Sequence, residues 1–94
     1  MIILGIDTGA QGGIAWIRND VMYCANMPDE TELHSMLHGF NTLDHVVCFV
    51  ERVNTYIGED RHKQYAIEQM VRNSQKVLTT IKIAKCQLEM VHPL

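Results

Sequence analysis

The sequence predicts a small mixed α/β domain with the element order β-β-β-α-β-α-β. Three observations predict it. Two short apolar runs, Ile2 to Ile6 and Val46 to Val50, read as strands buried on both faces. A segment from about Asp60 to Ala84 carries its apolar residues at the helical period. The 94 residues are 47% hydrophobic and 20% charged, the balance of a folded chain of one domain.

Ile2-Ile3-Leu4-Gly5-Ile6 forms the first strand, and Asp7 ends it. Gly9, Gly12 and Gly13 surround a turn, because glycine permits positive φ and close backbone approach. Ile14-Ala15-Trp16-Ile17 is the second strand, Asn19-Asp20 a two-residue hairpin turn, and Val21 to Ala25 the third strand, completing a meander. Pro28 stops it. Asp29 followed by Glu32 is a capping-box-like helix start. Leu33, Met36, Leu37 and Phe40 then recur at helical spacing, and Gly39 closes this short helix. Val46 to Val50 is the fourth strand, ended by Glu51. A loop with Asn54, Thr55, Tyr56 and Gly58 leads into the long helix. The apolar stripe of that helix is Ile67, Met70, Val71, Ser74, Val77, Leu78 and Ile81. Leu88 to Val91 is the last strand, stopped by Pro93. Repeats, linkers and low-complexity segments are absent, so residues 1–94 are read as one domain.

No apolar run approaches the roughly 18 residues of a membrane span, and no signal peptide leads the chain, so no membrane partner is expected. Cys24, Cys48 and Cys86 are odd in number and unevenly spaced. They form neither a disulfide framework nor a zinc motif, which places the chain in a reducing cytoplasm with its thiols in the core. The net charge of −3 is unevenly divided. Residues 1–50 carry six acids and only Arg18 as a base, whereas residues 51–85 carry seven bases and four acids. A phosphate contact would leave this asymmetry. So would a solvated helix face.

Two buried strands end in carboxylates, Asp7 and Glu51. A carboxylate directly after an apolar strand stands at the carboxyl edge of the sheet, where open α/β sheets hold ligands. Two on adjacent strands could share a hard divalent cation such as Mg²⁺. His34 and His38 have the i, i+4 spacing of a zinc pair, but no third ligand accompanies them.

The run Leu4-Gly5-Ile6-Asp7-Thr8-Gly9-Ala10-Gln11-Gly12-Gly13-Ile14-Ala15 resembles the opening of RuvC-like Holliday junction resolvases, closest to their short phage and prophage branch. Further likenesses follow in order. Asn26-Met27-Pro28 is similar to the Asp-Met-Pro after the third strand of that branch. Val50-Glu51-Arg52-Val53 is similar to its second catalytic motif, and the long helix to the one that follows. Val91-x-Pro93 is similar to a strand end there.

The resemblance covers essentially the whole chain. It implies an RNase H-like fold and a homodimeric, metal-dependent endonuclease that cuts four-way or branched DNA during recombination or phage DNA processing. Asp7 and Glu51 would then be catalytic, metal-ligating carboxylates, with two Mg²⁺ or Mn²⁺ ions in the complete enzyme and no nucleotide cofactor. The family adds two carboxylates from a C-terminal helix in an Asp-x-x-Asp pattern. This sequence stops at Leu94, before that helix, so it is expected to be an incomplete, C-terminally truncated domain whose last strand leaves apolar surface uncovered. It also has Thr8 where proline is common.

Two carboxylates set against two divalent ions leave half of the positive charge unbalanced, so the 94 residues alone are expected to cleave little. Tyr56, in the loop after Glu51, is placed to stack on a base or to fold back on the helix. Arg52, Arg61 and Lys63 flank the same edge and are candidate phosphate contacts. Lys76, Lys82 and Lys85 read as a solvated face.

Three other readings compete. Asp7-Thr8-Gly9-Ala10 is also the active-site tetrapeptide of retroviral-type aspartic proteases, but those subunits are almost all-β. Actin-like ATPases and sugar kinases open with a similar strand and hairpin, in much longer chains. A non-catalytic DNA-binding or structural remnant of the same fold is the third.

Overall fold

The structure is a computed structural model and describes residues 1–9, 12–51 and 61–91, with only the backbone for 61–64 and 66. Five strands form one sheet: β1 (Ile2–Asp7), β2 (Gly13–Arg18), β3 (Val21–Asn26), β4 (Val46–Glu51) and β5 (Gln87–Val91). Their spatial order is β3-β2-β1-β4-β5. The first three strands are the expected antiparallel meander, and β4 and β5 add in parallel on the other side of β1. Helix α1 (Glu30–Leu43) connects β3 to β4, and α2 (Arg61–Ile83) precedes β5. This is the predicted order. The parallel strands exclude the almost all-β plan of an aspartic protease subunit.

Both helices contribute to one core on one face of the sheet. Ile2, Leu4, Ile6, Ile14, Val46, Cys48 and Val50 meet Leu33 and Leu37 of α1 and Val77 and Ile81 of α2 there. Strand side chains alternate between faces, so the opposite set points away from the helices. That set includes Ile3, Gly5 and Asp7 of β1 and Phe49 and Glu51 of β4, all exposed, together with Val47 of β4, which is buried. The expectation that the apolar strands are buried on both faces is therefore corrected for β1 and for β4 beyond Val47. No described helix covers the second face, which stays open although it is largely apolar.

The helix ends explain the remaining boundaries. Asp29 caps α1 by accepting the Glu32 N–H at 2.8 Å, as its capping-box spacing predicts. Gly39 does not end this helix, contrary to the expectation, because α1 continues to Leu43. Two contacts hold the extra turn: Phe40 packs against Trp16 at 5.7 Å between ring centroids, and Asn41 Nδ2 donates to the Ala84 carbonyl at 3.4 Å. Packing outweighs the roughly 1 kcal/mol that an interior glycine costs. At the far end of α2, Lys85 takes φ 60°, and the Cys86 N–H reaches back to the Ile81 carbonyl at 3.2 Å. This is a left-handed C-terminal cap formed without glycine.

The Asn19-Asp20 turn has φ of 53° and 63°, the mirror-image turn that suits a hairpin's twist. Trp16 lies half-buried at the sheet–helix junction, stacked on Tyr23 at 5.5 Å. Cys48 is buried in β4 as expected, and burial pushes its thiol up to about 12. Cys24 is not a core thiol. It lies exposed on β3, which has no neighbour on its outer side among the described residues. Cys86 precedes β5 and is half-buried.

Candidate functional site

The parallel register brings the two strand-end carboxylates together. Ile2 to Ile6 pair one-to-one with Val46 to Val50, so the next residues, Asp7 and Glu51, stand side by side at the carboxyl edge. Neighbouring strands lie about 4.8 Å apart. Both side chains leave the sheet on its open face, and both line one shallow cavity of about 570 Å³. Gly5, Gly13, Ala15, Cys24 and Ala25 lend it small side chains, while Phe49 and Val91 stand as larger apolar groups. Across the edge the order is Asn26, Gly13, Asp7, Glu51, Val91.

Asp7 is held locally. Its Oδ1 accepts the Gly9 N–H at 3.0 Å, leaving Oδ2 for another partner. The Gly12 N–H donates to the Gly9 carbonyl at 2.9 Å. Gly12 is required here, but not for the reason the sequence suggested, since no described glycine has positive φ. A Cβ at Gly12 would lie 2.1 Å from the Asp7 carbonyl oxygen and 2.8 Å from that of Gly9. Close backbone approach, not dihedral freedom, selects glycine at this position.

Behind the carboxylates, on the helix side, a second cavity of about 670 Å³ gathers parts that are distant in sequence. Buried Thr8 and the glycine turn form one wall, Asn26-Met27-Pro28 with the start of α1 another, and Asn73 and Lys76 of α2 the third. Lys76, expected to be a plain solvated residue, lies 3.8 Å from Glu30 in an exposed ion pair. Met27 and Pro28 line this cavity between the end of β3 and the start of α1. The proline-stopped strand end is the sequence signal for that place.

The other candidates lie apart. His34 and His38 stack at 6.4 Å on the exposed side of α1. Among the described residues no group of three or more histidine, cysteine, aspartate or glutamate side chains is placed to hold a metal. Arg52 and Tyr56 lie outside the described residues, as do the side chains of Arg61 and Lys63. Ala10, Gln11 and Pro93 lie outside them too. No described helix is long and apolar enough to cross a membrane.

No protein-family model and no curated protein matches the sequence. Solved structures do match. Thermus thermophilus RuvC in complex with a Holliday junction substrate aligns with 99% of this chain at a TM-score of 0.54 and 12% identity. A further Thermus thermophilus RuvC structure aligns at 0.54 and 13%. The chain spans 65% and 64% of those two chains. At this identity the likeness concerns architecture: the chain has the RuvC-type, RNase H-like fold.

Proposed function

We propose that the chain is a domain of a metal-dependent endonuclease acting on four-way or other branched DNA, of the phage-type junction resolvase kind, in a bacterial or phage-infected cytoplasm. One observation carries the reading. Asp7 and Glu51 stand side by side at the carboxyl edge of β1 and β4, with their side chains on the same open face.

The donor set fits a hard cation. Both groups are carboxylates, and Mg²⁺ is commonly held by one or two carboxylates together with substrate phosphate oxygens. Bound there, such an ion would activate water and stabilise the leaving oxygen of a phosphodiester. The chain's own residues fix the geometry. The Gly9 N–H orients Asp7 through Oδ1. The parallel ladder fixes Glu51 relative to Asp7, and the small residues around them give a phosphate backbone room to approach.

Two carboxylates suffice for one ion and not for two. The open face beside them is apolar, with Ile3, Ile17 and Phe49 each more than a third exposed. Both facts are met if an element carrying further acidic groups lies on that face, and the resolvases this sequence resembles carry an Asp-x-x-Asp helix. A non-catalytic DNA-binding domain of the same fold is the second reading, favoured by the absence of a third ligand among the described residues.

Gel-shift titration with a four-way junction and a linear duplex of equal length tests the proposal. The junction should bind more tightly, and Asp7→Asn should leave that binding intact. Cleavage in Mg²⁺ or Mn²⁺ should be slight for these 94 residues. Equal affinity for both DNAs would refute the substrate class, and brisk cleavage would refute the charge argument.

A further inference from the structure

We infer that the helix-side cavity behind Asp7 is a nucleobase pocket, which takes an unpaired base, adenine best, from a DNA strand crossing the carboxyl edge. Its volume of about 670 Å³ is that of an ordinary small-molecule site and leaves room for a purine with its sugar.

Thr8 is the first polar anchor. It lines the cavity and is only 7% exposed. The alternation of buried and exposed residues along β1 continues through it, so Thr8 turns to the helix side while Asp7 turns to the open face. Among the described residues its hydroxyl has no hydrogen-bond partner. None of the described side-chain polar atoms is both fully buried and unpaired, so that oxygen reaches the space of the cavity. A hydroxyl so far out of water costs free energy until something pairs with it. A ligand in the cavity supplies the partner.

Asn73 is the second anchor. Helix α2 brings its exposed carboxamide to the same cavity, and among the described residues it too has no partner. A hydroxyl and a carboxamide each donate and accept. Nucleobase edges offer both kinds of group, and a carboxamide matches the N6 and N7 positions of adenine in particular. Met27, Pro28 and Val77 give the cavity apolar walls against which a flat ring can lie.

Charge separates a neutral base from an anion. The charged lining residues are Asp29, Glu30 and Lys76, two acids and one base, a net −1. Lys76 is already drawn to Glu30 at 3.8 Å. The start of α1 is already capped by Asp29. A free phosphate would therefore meet net repulsion, and an uncharged base would not.

Position supplies the source of the base. Thr8 follows Asp7 directly, so the cavity begins one residue from the carboxylate pair, across the sheet edge. Gly9, Gly12 and Gly13 leave that edge bare of side chains. A strand with one phosphate at the carboxylates can pass over the glycines and turn its next base into the cavity. An unpaired base, as at a branch point, costs least to turn out of the stack. The source rests on the branched-DNA reading, whereas the ligand class rests on the cavity alone.

Amide NMR titration of the chain with adenosine, adenosine monophosphate and inorganic phosphate tests the pocket. Adenosine at millimolar concentration should shift Thr8, Asn73 and Val77. The monophosphate should bind no tighter, and inorganic phosphate should shift none of the three. Thr8→Val and Asn73→Ala should each weaken adenosine by about threefold or more. Asn73 is exposed, so its variant decides the matter if Thr8→Val does not fold. A four-way junction made abasic at the branch point should bind about fivefold more weakly than the intact one or worse, and Asn73→Ala should narrow that gap. Adenosine shifts that are absent from these residues, unchanged in both variants, or surpassed by those of inorganic phosphate would overturn the pocket. Equal affinity for intact and abasic junctions, with adenosine still bound, would overturn the DNA strand as its source and assign the pocket to free nucleosides. Equal affinity for junction and duplex would refute the branched-DNA reading and leave the adenosine result standing.

Discussion

Replacing Gly12 by alanine gives the sharpest structural forecast. The added Cβ would sit 2.1 Å from the Asp7 carbonyl oxygen and 2.8 Å from that of Gly9. Ordinary non-bonded separations are roughly 3.5 Å, so the strand end must move by about 1 Å. Both obstacles are backbone atoms, and neither can rotate away. Overpacking of this kind costs about 1–3 kcal/mol. With a urea slope of about 1–1.5 kcal/mol/M, the unfolding midpoint should fall by about 0.7–3 M. The same movement displaces Asp7, and a misplacement of about 1 Å can cost on the order of 100-fold in positioned chemistry. Two neighbours provide a scale. A Cβ at Gly13 would lie 3.1 Å from the Ala25 carbonyl, and one at Gly5 would meet nothing within 4 Å. Urea titration should therefore rank the alanine variants Gly12, Gly13, Gly5 from most to least damaging. A Gly12→Ala midpoint no lower than that of Gly13→Ala would refute the close-approach argument.

Gly39→Ala should stabilise the chain by about 0.5–1 kcal/mol, since the position is helical and a Cβ there meets nothing within 4 Å; a lower melting temperature would contradict this. Lys85→Gly should raise the melting temperature as well, by relieving about 1 kcal/mol of left-handed strain at the α2 cap; no change would mean that the strain is absent. The Asp44 carboxyl lies below its usual 3.8, because the Met1 ammonium and the His45 N–H hydrogen-bond to it. A depressed carboxylate contributes stability above its unfolded pKa and loses it as pH falls through the folded value. Acetylating the amino terminus should thus move the Asp44 titration, followed by carboxyl NMR, toward 3.8, and should weaken that acid-range dependence while the His45 N–H keeps part of it.

The α/β order was legible because it rests on apolar runs, turn residues and the helical period. Short apolar runs bounded by turn residues mark β1 and β4, helical spacing marks α1 and α2, and Asp29 with Glu32 marks one boundary closely. Exposure was not legible from composition. Ile2 to Ile6 is apolar throughout, yet only Ile2, Leu4 and Ile6 are buried, since both described helices lie on one face. Gly39 misled because a glycine's cost is local, whereas Phe40 and Asn41 hold the turn through distant partners. Cys24 misled because a strand's place in the sheet is set by pairing, and pairing is not written in six residues. The carboxylate pair was legible as two strand ends. That they share one row and one face required the parallel register of β1 and β4. The hydrogen bond from Gly9 and the tight contact at Gly12 depend on turn geometry that spacing alone does not specify.

The proposed nuclease chemistry requires Asp7 and Glu51 to act as one cation site. Titrating Mn²⁺ into the isotope-labelled chain and following paramagnetic broadening of its amides tests that directly. Broadening should centre on Gly9, Gly13 and Glu51, saturate weakly, and disappear in both Asp7→Asn and Glu51→Gln. Broadening centred elsewhere, or persisting in either variant, would contradict the claim that the two strand ends form a single site.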